Sequence, residues 1–82
     1  MAKLSQDKIE WILSLNAKQA QEQIRKLTKE NRDLEKQCEA ANKVMASVAK
    51  DSEAWKTAEA NLKSYKKQIL ENNAMLRELA AQ

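Results

Sequence analysis

Large apolar residues change their spacing along this chain, and the change divides it. Between Ile9 and Leu15 they fall on every second position: Ile9, Trp11, Leu13 and Leu15, with Glu10, Ile12 and Ser14 between them. That is the period of a strand with one buried face, and Trp and Ile favour strands by propensity. The alternation favours a short docking strand inside an N-terminal segment, residues 1–16, whose opening MAKLSQD reads as a polar, frayed start. A lone strand leaves its backbone unpaired, so it requires a second chain or another part of a parent protein. The helical alternative places Ile9, Leu13, Ala17 and Ala20 on one stripe that continues into Ile24.

After Asn16 the spacing becomes helical. Asn16 suits a helix N-cap, and Gln19 stands where a capping box asks for it. From there the chain reads as a helical coiled-coil region, residues 17–82. Its first seam is Ile24, Leu27, Asn31, Leu34, Cys38, Ala41, Met45 and Val48, alternating three and four apart. Asn31 occupies a core position of that seam, where an amide costs stability and fixes register or partner number. Past Val48 the register fails, because continuing it would bury Ser52, Glu59 and Lys66. A second seam takes over at Trp55, Ala58, Leu62, Tyr65, Ile69, Asn72, Leu76 and Leu79.

The slip lies within AKDSEAW, residues 49–55, and has two explanations. One is a stammer absorbed by local overwinding of a continuous helix. The other is a turn in which Asp51 or Ser52 caps a second helix, giving helix 17–48, a break at 49–53 and helix 53–80. The absence of glycine counts against a turn. The near-equal arms favour it, at about 48 and 42 Å for roughly 1.5 Å per residue. The fold class is thus dominated by α structure, an αα-hairpin or a continuous coiled coil, with the short N-terminal strand as its exception.

Composition sharpens this picture mainly by exclusion. Among 82 residues there is no Gly, Pro, His or Phe, and one Cys. That suits long helices rather than a turn-rich globule. Without His or Gly there is no general base of the usual kind, no zinc site of usual ligands and no phosphate-cradling loop. No catalytic, cofactor-binding or metal-ligating residues are assigned, and the chain does not read as an enzyme. Carboxylate pairs such as Glu35 and Glu39 read as solubility residues, Cys38 as a packed free thiol, and Trp55 as an anchor for the second helix. The net charge of +3 is spread with both signs interspersed. Residues 1–23 balance Lys3, Lys8 and Lys18 against Asp7, Glu10 and Glu22, so no nucleic-acid footprint is expected. No stretch approaches the roughly 20 apolar residues of a membrane span. A reducing cytoplasm is the expected compartment.

KIEWILSLNAKQAQEQIRKLTKENRDLEKQ, followed by DSEAWK and then NNAMLRELAA, resembles the start of tail tape measure proteins from phages and prophages of Bacteroides-like gut bacteria. The matching features, in order, are Leu15-Asn16, the helix from Ala17, the Ser52-Glu53-Ala54-Trp55-Lys56 step and the helix from Ile69 to Leu79. The family often has glycine in the middle linker, which this chain lacks. Its members are also far longer, so the chain would be an N-terminal piece. The resemblance implies a structural role without catalysis or cofactor: several copies lie inside the growing tail, and their length sets that of the tube. It implies assembly in the bacterial cytoplasm, residence in the tail interior, and contacts with tail tube or other tail components. The expected partner on either reading is the chain itself. The alternative is an autonomous coiled-coil oligomerisation or scaffold module unrelated to phage.

Overall fold

The computed structural model describes residues 4–81, so the first three residues of the 1–16 segment lie outside it. Three helices follow in order: α1 (Gln6–Leu13), α2 (Ala17–Ser47) and α3 (Glu53–Ala80). The expected docking strand is therefore corrected to a helix. Ser5 caps it, its Oγ accepting the Lys8 N–H at 3.2 Å, and Asp7 lies in the positively polarised first turn. A helix pairs its backbone internally, which a solitary strand cannot do.

The buried set in α1 differs from both sequence readings. Ile12, placed on the outer face by the alternation, is 1% exposed, whereas Leu13 is 67% exposed and Trp11 is 42% exposed. Ile9 and Leu15 are half-buried. The stripe through Leu13 and Ala17 fails as well, because the helix stops at Ser14, whose Oγ donates to the Trp11 carbonyl at 2.6 Å.

Asn16 starts α2 as the sequence implies. Its Oδ1 accepts the Gln19 N–H at 2.8 Å, and Gln19 Oε1 accepts the Asn16 N–H at 3.0 Å. Leu15 before the cap and Ala20 in the first turn join one apolar cluster, the arrangement of a hydrophobic staple. The break at 49–53 is a turn rather than a stammer. The Ser52 N–H donates to the Ala49 carbonyl at 3.1 Å, and Ser52 Oγ then caps α3 by accepting the Trp55 N–H at 3.3 Å. Asp51 supplies the left-handed residue at φ 66°, a conformation that glycine usually fills and that Asp tolerates better than most.

The turn sends α3 back along α2, and the two pack as an antiparallel αα-hairpin. Asn72 Nδ2 donates to Asn31 Oδ1 at 2.9 Å, which sets the register. Carried along both helices, that register faces Ile24 with Leu79, Leu27 with Leu76, Leu34 with Ile69, Cys38 with Tyr65, Ala41 with Leu62, Met45 with Ala58 and Val48 with Trp55. All of these residues are buried or half-buried. The phase slip in the sequence is thus the mirror at which one seam folds onto the other. The Cα extents of 49 × 22 × 14 Å describe a layer one helix thick, with α1 laid on one end.

Candidate functional site

Among the described residues no group of three Cys, His, Asp or Glu side chains could hold a metal ion. None of the described helices is long and apolar enough to cross a membrane. What the chain presents is a polar layer inside the hairpin and an uneven flank outside it.

The polar layer interrupts the apolar seam near the middle of α2. Asn72 is 7% exposed, and its Nδ2 donates both to Asn31 Oδ1 and, at 3.3 Å, to Glu30 Oε1. Asn31 Nδ2 in turn donates to Asn73 Oδ1 at 3.0 Å. Sequence spacing placed Asn31 and Asn72 in the two seams, and the structure brings them together. Glu30 and Asn73, their neighbours in the chain, complete the network but stand outside the seam pattern. The layer ties the alignment of the two helices to these amide pairings, at the expense of the apolar contacts a Leu pair would make.

The seam residues also meet as expected, yet across the hairpin within one chain. Ile24, Leu27, Leu34, Cys38, Ala41, Met45 and Val48 from α2 face Trp55, Leu62, Tyr65, Ile69, Leu76 and Leu79 from α3. In the folded chain this seam is occupied internally. Cys38 is a free, half-buried thiol in that seam.

The flank is built from stripes beside the seam. Ala54, Asn61, Gln68 and Met75 recur at heptad spacing along α3, and Gln37 and Val44 face them from α2. At the open end of the hairpin α1 covers this flank. Met75 packs into the cluster around Ile12, Ala20, Leu27 and Leu79. Ala74 lies about 200° round the helix from Asn72, at roughly 100° per residue, and so points away from α2. It is nonetheless buried, which places α1 over this side of α3.

At the turn end the same flank is bare. Between the two helices lies an open hollow of about 500 Å³, floored by Ala41 and Ala58 and walled by Ala40, Val44, Ala54 and Thr57. Two facing layers there, Ala41–Leu62 and Met45–Ala58, each contain an alanine, and the missing side-chain volume is the hollow. Of its lining residues only Glu53 is charged, in a chain whose residues are 33% charged. Trp11, Leu13, Val44 and Leu70 are the large apolar residues left exposed among those described. The sequence could not reveal this site, because it depends on which alanines the hairpin register brings together. Comparison with protein-family models, with curated proteins and with solved structures gave no match.

Proposed function

We propose that this chain is a structural, self-associating helical-hairpin module without catalytic activity. The observation that carries this reading is the surface left over after folding. Its accessible surface is 6108 Å². A compact monomer of its mass should expose only about 5,000 Å². The excess is comparable with the roughly 800 Å² that one partner contributes to a standard interface. Beyond the end that α1 covers, no second layer lies on the flanks of the two helices, whereas stable domains bury each apolar stripe against another element.

Sedimentation equilibrium over a wide concentration range tests the reading. Self-association appears as a mass above 9.4 kDa that falls on dilution, with thermal stability falling alongside it. A constant monomer mass with concentration-independent unfolding would refute it.

A finer version makes this hairpin the head of a phage tail tape measure protein, supported by the order of motifs from Leu15-Asn16 to the Ile69 helix. The hairpin constrains that version. Laid end to end, α2 and α3 would reach about 90 Å at roughly 1.5 Å per residue. Folded back they span 49 Å, so this part would serve as an end piece that holds copies together, with any ruler lying beyond it. The native gene product, detected by immunoblot after prophage induction, should then run at many tens of kilodaltons. A band near 9.4 kDa that ignores induction supports the autonomous scaffold module instead.

A further inference from the structure

Building on the self-association reading, we propose that the copies pair antiparallel on the α1-bearing flank, with Trp11 of each seated in the alanine hollow of the other. The flank carries a raised end and a recessed end. The raised end is α1, where burying Ile9 and Ile12 turns Trp11 off the covered face and leaves it 42% exposed. The recessed end is the hollow beside Val44, itself 40% exposed. Because both lie on one flank at opposite ends of the hairpin, a two-fold axis across its middle brings each α1 over the partner's hollow. That contact is isologous and closes at two copies.

Three features favour a second copy as the occupant. The hollow of about 500 Å³ has room for an indole, and its single charged lining residue, Glu53, stands beside the helix start, so seating the ring buries little charge. The flank has the area: a face of 49 × 22 Å exceeds the roughly 800 Å² per partner that a stable interface needs. The pairing also covers two of the four exposed large apolar groups at once, Trp11 and Val44. A Trp filling a pocket at such an interface has the character of a binding hot spot.

Reciprocity supplies the test. Trp11→Glu and Val44→Lys are made separately, each checked for native helicity by circular dichroism, and examined by sedimentation velocity alone and mixed. Each variant alone should weaken the dimer about 30-fold or more, the loss of a hot-spot contact at both sites. Mixed in equal amounts, they should recover a heterodimer, because one contact then pairs Glu with Lys and the other is wild type. Single variants that dimerise like the wild type, or a mixture that stays monomeric, overturn this docking while leaving self-association intact. A wild-type chain that is monomeric throughout overturns both.

Discussion

Removing Asn72 tests the polar layer, and its cost follows from the bonds the residue makes. In Asn72→Ala the donor to Asn31 Oδ1 and Glu30 Oε1 disappears. Glu30 is exposed and rehydrates at little cost, but Asn31 is half-buried and its carbonyl is left without a buried partner. Orphaning such an acceptor costs about 1–3 kcal/mol, and nothing apolar is gained in return. We expect a loss of about 2 kcal/mol. For a chain of this size that lowers the thermal midpoint by roughly 8–16 °C, a large share of a stability of order 4–12 kcal/mol. The double variant Asn31→Ile, Asn72→Leu removes both partners, leaves no orphan in the seam and adds apolar burial. It should exceed the wild type by about 2–4 kcal/mol. Urea unfolding followed by circular dichroism, read as a double-mutant cycle, measures both. An Asn72→Ala loss below about 0.5 kcal/mol would refute the layer, because that is the range of an ordinary surface substitution.

Other substitutions probe the remaining elements. Leu34→Asp places a charge in the seam opposite Ile69 and should cost several kcal/mol, enough to abolish most of the helical signal; an intact helical spectrum would contradict the register. Ile12→Ala should cost about 2–5 kcal/mol while Leu13→Ser stays within about 0.5 kcal/mol. The reverse order in thermal melts would restore the strand assignment. Asp51→Val forces a β-branched residue into the left-handed region and should cost about 1–2 kcal/mol, whereas Asp51→Gly should be neutral or slightly stabilising; equal melting of the two would mean the turn has another conformation.

The hairpin was legible because heptad spacing is a property of each helix alone. Both seams, the Asn16 cap and the Ser52 cap stand in the sequence as they do in the fold. Partner choice is a different matter. The same spacing serves a parallel dimer or an internal antiparallel pair, and only the Asp51 turn decides between them. Asp tolerates positive φ without announcing it as glycine would, so the stammer remained open in the sequence. The N-terminal helix was hidden by its brevity. Over seven or eight residues a period of two and one of 3.6 share many positions, and the decisive contact of Ile12 with the cluster holding Leu79 lies far off in the chain. The alanine hollow was hidden more deeply, since Ala40, Ala54 and Ala58 are merely good helix formers until the fold juxtaposes them.

The mirror register also ranks the hairpin's layers by how much chain each one closes. Val48 and Trp55 enclose a short segment beside the turn, whereas Ile24 and Leu79 enclose most of the molecule. Closing the longer loop directly costs about 1.8 kcal/mol more in chain entropy. On chain entropy alone the hairpin would zip from its turn and fray from its open end, which a gradient of amide exchange along α2 and α3 would record. At that entropically dearest end the chain lays α1 across the layer and sinks Ile12 into it. The short N-terminal helix thus works as a latch on the end of the hairpin whose closure costs the most chain entropy.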